Sequence, residues 1–256
     1  MDLELRDKVI LISGAASGIG ATTFIAVMQE GAIPIGIDLQ PLEGSELEQL
    51  LYQKKFKNDF RYHQADASNP ETMAILFEDI LSLYGLVNNA GILGTDSSHG
   101  GRAPASYHRM IDAHVKSALV LTELAVSRMR SGSAIVNIGS IETKMAAPDI
   151  VLYATAKGAL QGMTIAYTVE LASKGIRVNM ISPGNVNTLR NKAQYVATPE
   201  LIRAFEARTP LGRSVEPNEV ADLTLFLLSN KSGAITGQNH IIDAGYTRAL
   251  WDPGWK

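Results

Sequence analysis

The sequence predicts an α/β protein in which helices cover both faces of a doubly wound parallel sheet of about seven strands. Short runs rich in β-branched residues recur along the 256 residues and alternate with segments of helix length. Parallel strands need long crossover connections, and helices between the strands provide them. Because no Pro-, Gly- or Ser-rich linker and no internal repeat divides the chain, we expect a single domain over residues 1–256.

The predicted strands and helices follow one another in a regular order. Strands are expected at KVILIS near residue 8, IPIGIDL near 33, FRYHQAD near 60, LVNNAG near 86, SAIVNIGS near 133, IRVNMIS near 177 and GQNHIID near 237. Helices are expected over residues 18–30, 70–82, 106–129, 151–173 and 217–228. Gly31 and Gly175 stand where they can end two of these helices, and Pro217 stands in the first turn of the last one.

Composition excludes several classes of protein. The net charge is -3 without a strongly basic block, which argues against nucleic acid as a partner. The chain has no cysteine, a feature that suits a reducing compartment. The start MDLELRDKVI does not resemble a signal peptide, and no apolar run approaches the ~18 to 20 residues of a membrane span. We therefore expect a cytoplasmic protein that does not enter the membrane.

A glycine-rich stretch, SGAASGIG at residues 13–20, directly follows the first predicted strand and opens the first helix. Glycine permits a tight turn and lets a pyrophosphate approach the exposed N–H groups of a helix N-terminus. The spacing differs from G-x-G-x-x-G, and a plain strand-to-helix turn is the alternative. Asp38 ends the second strand, where an acid can bind an adenosine ribose or cap the next turn. An acid there repels a 2′-phosphate, so the site is predicted to prefer NAD to NADP.

Several further motifs occur in a fixed order. They are SGAASGIG, Asp38, Asp66-Ala67, NNAG at 88–91, Ser140, YATAK at 153–157, PGNVNT at 183–188, PLGR at 210–213 and ITGQ at 235–238. By this ordered set the sequence resembles the classical short-chain dehydrogenase/reductase family, from about Lys8 to Gly245. The resemblance implies a Rossmann-type fold, a nicotinamide cofactor, a secondary alcohol or ketone as substrate, and assembly into homodimers or homotetramers through the two long helices.

The spacing of Tyr153 and Lys157 fits the chemistry of that family. Reduction of a ketone needs a proton donor beside the nicotinamide, but tyrosine, with a pKa near ~10, is a weak acid or base at neutral pH. Lys157, one helical turn away, and the positively charged nicotinamide are expected to lower the pKa of Tyr153, the general acid/base. The resemblance also assigns Lys157 to the nicotinamide ribose and Ser140 to the substrate oxygen. The alternative, which would be preferred if the sequence lacked Tyr153, is that Ser140 is a serine at a strand end whose hydroxyl forms hydrogen bonds within a turn.

The glycine-rich loop and the resemblance together assign the cofactor contacts. Asp66 and Ala67 are expected at the adenine, residues 88–91 beneath the adenosine, and residues 183–188 at the nicotinamide, although Asn88 and Asn89 could instead tie neighbouring strands. The predicted cofactor-binding residues are Gly14, Ser17, Gly18, Ile19, Gly20, Asp38, Asp66, Ala67, Asn88, Ala90, Gly91, Tyr153, Lys157, Pro183, Gly184, Val186 and Thr188.

The sequence departs from the family pattern in two places. His114 occupies the position of an asparagine that helps to hold a water linked to the lysine. It is either a packed histidine or a fourth catalytic residue of that relay, in which case its titration adds a pH dependence. The stretch from Asp66 to Asn88 is about five residues shorter than in the family. His99 and His108 lie in or beside a loop without metal-ligand spacing, so no catalytic metal is predicted.

The substrate side is expected to be built from residues 141–152, a loop over about 188–210 that could order as a lid, and a C-terminal tail over about 246–256. Met145, Ile150 and Leu152 indicate a partly apolar pocket. Glu142 could bind hydroxyls of a polyol, bind a cationic amine or face solvent. A sensor that binds the dinucleotide without catalysis is the rival function, and the presence of Ser140, Tyr153 and Lys157 together argues against it.

Overall fold

The computed structural model describes residues 2–56, 59–189, 191 and 198–248. Its sheet has seven parallel strands in the order β3-β2-β1-β4-β5-β6-β7, which confirms the predicted fold class. The strands are β1 (Val9–Ser13), β2 (Ile33–Asp38), β3 (Arg61–Gln64), β4 (Gly85–Asn88), β5 (Ala134–Ile138), β6 (Arg177–Pro183) and β7 (Asn239–Ile242). Strands β2 and β3 lie on one side of β1, and β4 to β7 lie on the other side. Where the strand order changes direction in this way, between β1 and β4, a crevice opens at the carboxyl ends of the strands.

The helices of the described residues are α1 (Gly18–Gln29), α2 (Glu46–Lys54), α3 (Pro70–Glu78), α4 (Pro104–Ile111), α5 (Ser117–Val126), α6 (Val151–Leu171), α7 (Pro199–Ala207) and α8 (Pro217–Leu228). A π-helical turn over Asp112–Lys116 joins α4 to α5, so the predicted helix over 106–129 is one helix with an internal bulge. Helix α3 is only nine residues long, consistent with the shortened stretch before β4.

Three signals for helix ends are borne out, whereas the helix predicted over 70–82 ends at Glu78 and the one predicted over 106–129 runs from Pro104 to Val126. Gly31 follows α1 with φ +73°, a left-handed conformation that glycine adopts without a steric penalty. Gly175 has φ +68° just after the 3-10 turn that extends α6. At the start of α8, Pro217 occupies the first turn, and Glu216 and Glu219 form a reciprocal capping box.

Two helices were not predicted. Helix α2 begins after Ser45, whose hydroxyl accepts a hydrogen bond from the Glu48 N–H at 3.0 Å, so the pattern S-x-x-E was the signal for it. Helix α7 lies inside the segment 188–210, so the prediction of a loop there was wrong over Pro199–Ala207. Pro199 in the first turn marks its start.

Side chains of alternate strand residues pack on opposite faces of the sheet. Ile10 and Ile12 belong to a cluster with Phe24 of α1 and Leu225 of α8. Leu11, between them, belongs to a second cluster with residues of α3, α5 and α6. Because both faces are covered, the central strands β1, β4 and β5 are hydrophobic almost without interruption. Within the described ranges, no helix has the length and apolarity that crossing a bilayer requires.

Candidate active site

A cavity of about 550 Å³ opens at the carboxyl ends of the strands, across the point where the strand order reverses. It brings together residues from the glycine-rich loop, the ends of β2, β4, β5 and β6, and the start of α6. The predicted site residues that line it are Gly14, Ser17, Gly18, Ile19, Asp38, Asp66, Ala67, Ala90, Gly91, His114, Ser140, Tyr153, Lys157, Pro183, Gly184, Val186 and Thr188. The motifs are therefore neighbours in space as well as ordered in sequence.

Two of the three loop glycines form the wall of this cavity. Gly14 and Gly18 have φ of +67° and +58°, and a Cβ on Gly14 would lie 2.8 Å from the Asn89 side chain. Gly20 is not among the residues of the cavity wall, and its assignment as a cofactor contact stays a prediction. A Cβ on Gly20 would lie 1.9 Å from the Gly14 carbonyl oxygen, so its glycine is required for the packing of α1 against the loop.

The N-terminus of α1 already holds an anionic group. The Gly18 N–H donates a hydrogen bond of 2.8 Å to the Glu46 carboxylate, which reaches across from the first turn of α2. Unpaired N–H groups and the helix dipole favour an anion at this position. The carboxylate thus stands in for a phosphate, and the residues fit a dinucleotide whose pyrophosphate takes the place of Glu46. The sequence analysis missed Glu46 because it did not predict α2.

Asp38 ends β2 at the far end of the cavity. Its carboxylate accepts hydrogen bonds from the N–H groups of Ala16 at 2.9 Å and Gln40 at 3.0 Å. It therefore caps the following turn, as the alternative interpretation held, while remaining in the cavity wall. The neighbouring Leu39 lines the cavity and is 65% exposed, so it offers no charge to a phosphate at this end.

The two asparagines of NNAG have different roles. Asn88 is buried and donates hydrogen bonds to Asn137 at 2.8 Å and Thr122 at 3.2 Å, so it ties β4 to β5 and α5. Its side chain thus makes the contacts that the alternative interpretation expected, and its assignment to the cofactor stays a prediction. Asn89 lines the cavity and donates to the carbonyl oxygens of Ser13 and Gly14, both at 3.0 Å. It thereby holds the glycine-rich loop against β4.

Ser140, Tyr153 and Lys157 converge at the other end of the cavity. Ser140 follows β5, whereas Tyr153 and Lys157 lie one turn apart near the start of α6. The Lys157 ammonium lies 5.7 Å from the centre of the Tyr153 ring and donates a hydrogen bond of 2.8 Å to the Ile138 carbonyl oxygen. An ammonium has three donors, so Lys157 retains two for other partners. The arrangement places a hydroxyl, a phenol and an ammonium around one point.

The protein environment raises the pKa of Tyr153 instead of lowering it. Burial is the main cause, the Glu142 carboxylate adds to it, and the neighbouring Ser140 side chain acts in the opposite direction. Burial also lowers the pKa of Lys157 to about 8, and Glu142 opposes this shift. The expected lowering of the Tyr153 pKa by Lys157 together with the positively charged nicotinamide stays a prediction for the protein with its cofactor bound.

Asp96 fixes the start of the helix that carries Tyr153 and Lys157. Its buried carboxylate accepts hydrogen bonds from the N–H groups of Val151 and Leu152, both at 3.1 Å, and pairs with Arg102 at 2.6 Å. It acts as an N-terminal cap that comes from a distant part of the chain. The sequence contained no local signal for it because 55 residues separate Asp96 from Val151.

His114 lies in the π-helical turn, on the cavity side of the helix. Its Nε2 atom lies 2.9 Å from the carbonyl oxygen of Ile92 and 3.1 Å from the N–H group of that residue. Its ring meets that of Tyr153 edge to face at 5.4 Å, and a Cβ on Gly91 would lie 2.1 Å from it. His114 is thus a packed residue that supports the tyrosine, and Nδ1 has no hydrogen-bond partner among the described residues.

Burial lowers the pKa of His114 to about 3, and the nearby Lys157 charge contributes to the shift. The suggestion that His114 titrates in the working range was therefore wrong, because the imidazole remains neutral there. In the unfolded chain the imidazole has a pKa near ~6.5, so below that pH the unfolded state binds a proton that the folded state does not bind. The free energy of unfolding therefore falls as the pH drops, by up to about 1.4 kcal/mol per pH unit.

We expect His114→Asn to remove the part of the pH dependence of the free energy of unfolding that His114 causes. The melting temperature of the wild type should fall more steeply than that of the variant between pH ~6 and pH ~4. The variant should also lose about 1–3 kcal/mol of stability at neutral pH through the lost ring packing and backbone contacts. Melting curves over this range test the expectation. Parallel slopes, or an ionisation in the pH–rate profile that disappears with His114, would contradict it.

The substrate side of the cavity is only partly described. Phe205 of α7 stacks on Tyr246 with ring centres 4.3 Å apart, which brings the 188–210 segment against the start of the tail. Residues 190, 192–197 and 249–256 of the predicted loop and tail lie outside the described residues. Over the ranges that the structure covers, there is no group of three or more His, Asp or Glu side chains placed to hold a metal ion.

The chain is similar to known proteins over nearly its whole length. A family model described as enoyl-(acyl carrier protein) reductase matches residues 14–247. The D-xylose 1-dehydrogenase of Caulobacter vibrioides is 34% identical, over 95% of this chain and 97% of that protein. The cyclohexanol dehydrogenase of Acinetobacter sp. is 31% identical, over 96% and 98%.

A solved structure agrees with these matches. The ligand-free aldohexose dehydrogenase of Thermoplasma acidophilum superposes with a TM-score of 0.84 at 25% identity, covering 97% of this chain and 98% of that one. Full-length coverage, together with the fold and the ordered motifs around one cavity, decides the family. The chain belongs to the short-chain dehydrogenase/reductase family, whose members are oxidoreductases that bind a nicotinamide dinucleotide.

Proposed function

We propose that this protein is an NAD(H)-dependent oxidoreductase that interconverts a secondary alcohol and a ketone, with Tyr153 as the general acid/base. The observation that carries the proposal is the convergence of Ser140, Tyr153 and Lys157 at one end of a cavity whose other end is closed by Asp38. A cavity that crosses the strand ends where the strand order reverses is the usual place for a dinucleotide on a sheet of this kind.

In alcohol oxidation, the substrate carbon gives up a hydride and its hydroxyl gives up a proton to the Tyr153 oxygen, so that a carbonyl forms. When bound, the oxidised nicotinamide supplies the hydride acceptor and a positive charge near the phenol. Ser140 holds the reacting oxygen by a hydrogen bond, and Lys157 has donors left for the cofactor ribose. In ketone reduction, Tyr153 returns the proton.

The names of the relatives support this class of substrate. A D-xylose dehydrogenase and a cyclohexanol dehydrogenase both act on a hydroxyl-bearing carbon. A dinucleotide sensor on the same fold is the competing function. It would need Asp38, the glycine-rich loop and the Lys157 contact with the cofactor, but it would have no use for a general acid/base beside a serine hydroxyl.

Turnover of a secondary alcohol tests the proposal. With NAD+ and cyclohexanol, we expect NADH to form in proportion to enzyme, and cyclohexanone with NADH should run the reaction backwards. The variant Asp222→Asn, which changes an exposed side chain on α8, serves as a control and should have the wild-type rate. Binding of NADH without any turnover on a panel of secondary alcohols would favour the sensor.

We also propose that the protein forms a homodimer or homotetramer through the helix pair α4–α5 and the helix α6. Several large apolar side chains on these helices are exposed, among them Leu119, Ile165 and Val169 at 44%, 54% and 76%. Apolar surface of this kind on long helices is typical of an interface between copies.

A further inference from the structure

Glu142 is a carboxylate that contacts Ser140 from outside the cavity wall, and the proposed function does not use it. It lies in the short 3-10 turn Ile141–Thr143 that follows β5, and its side chain is partly buried. One carboxylate oxygen accepts a hydrogen bond from the Ser140 hydroxyl, the group that is to hold the substrate oxygen. The carboxylate is therefore directed toward Ser140 and is only partly open to solvent.

This contact occupies the only proton of Ser140. A serine hydroxyl has one donor and two acceptor positions, so a hydroxyl that donates to Glu142 has no proton for a substrate carbonyl. Within the described residues no salt bridge involves Glu142, and the nearest lysine of the site, Lys157, is bonded to Ile138. A half-buried carboxylate in this situation is best satisfied by a donor that arrives with the substrate.

A second hydroxyl on the substrate can supply that donor. The Ser140 hydroxyl and the Glu142 carboxylate are direct neighbours, as are the two oxygens on adjacent carbons of a diol. One oxygen can then face Ser140 and Tyr153 while the other donates to Glu142, which releases the Ser140 proton for the reacting oxygen. A cationic amine fits less well, because Lys157 and the oxidised nicotinamide already bring positive charge to this end of the cavity.

We propose that Glu142 is a specificity-determining residue that accepts a hydrogen bond from the hydroxyl next to the reacting carbon, so that the enzyme prefers vicinal diols, polyols and sugars to alcohols with one hydroxyl. This inference rests on the proposed function and names its substrate class. Burial raises the pKa of Glu142 above its ordinary value.

Cyclohexanol and cyclohexane-1,2-diol form a matched pair of substrates, since they differ by one hydroxyl. For the wild type, kcat/KM for the better isomer of the diol should exceed that for cyclohexanol by about 10-fold or more, the size of one hydrogen bond to a charged group. Glu142→Ala should abolish this preference, whereas Glu142→Gln, which keeps an acceptor oxygen, should retain part of it. The ratio of the two substrates cancels any common effect of Glu142 on the pKa of Tyr153.

Glu78→Gln, an exposed change near the end of α3, is the control and should keep the wild-type ratio. Melting temperatures with and without NADH show whether each variant folds and binds the cofactor. The inference would be overturned, while the proposed function stands, if the wild type preferred cyclohexanol. The same holds if Glu142→Ala lowered kcat/KM by the same factor for both substrates. Failure to oxidise either alcohol would contradict the proposed function together with the inference.

Discussion

Replacing Tyr153 with phenylalanine is expected to lower kcat for alcohol oxidation about 100- to 10,000-fold, the range that a positioned general acid/base supplies. The variant loses only the phenolic oxygen, and the ring remains to pack against His114. The chemical step then has no group to take the proton, while Ser140 and Lys157 stay in place. Steady-state rates with NAD+ and a secondary alcohol measure the loss.

Two controls separate chemistry from folding. Tyr167→Phe removes the same atom from the same helix, but the Tyr167 hydroxyl bonds to Glu123 away from the cavity, so the rate should change little. The melting-temperature increase caused by NADH should persist in Tyr153→Phe. An undiminished rate in Tyr153→Phe would exclude Tyr153 as the general acid/base.

The second large effect is selection of NADH over NADPH by Asp38. A 2′-phosphate at this end of the cavity would meet a carboxylate, and like charges brought together cost several kcal/mol, or about 100-fold or more in Kd. At ~100 times its Kd, NADH should stabilise the chain by about 2.7 kcal/mol and raise the melting temperature by roughly 5 to 11 °C. NADPH at the same concentration should produce a much smaller increase.

A double variant tests the cause of this selectivity. Asp38→Ala with Leu39→Arg removes the carboxylate and places a cation on the exposed neighbour, so NADPH should gain affinity relative to NADH. The change also removes the hydrogen bonds from Ala16 and Gln40, which makes a check of the unliganded melting temperature necessary. Equal melting-temperature increases with the two cofactors in the wild type would contradict the role of Asp38.

The motifs predicted most of the site because a parallel sheet gathers its strand ends at one edge. Ser140 follows β5, Asp38 ends β2 and the glycine-rich loop follows β1, so knowledge of the strands was enough to bring them together. The motifs did not show which of their members also hold the fold together. Gly20 lets α1 pack against its loop, and the Asn88 side chain ties two strands.

The amino-acid sequence by itself determined the fold class, the order of the strands along the chain and the residues that meet at the catalytic end, because hydrophobic alternation and local motifs are short-range signals. Only the tertiary structure decided which distant groups complete the site. Asp96 caps α6 across 55 residues, and Glu46 reaches the N-terminus of α1 across 28. The raised pKa of Tyr153 and the lowered pKa of His114 likewise depend on burial, which arises only when the whole chain packs.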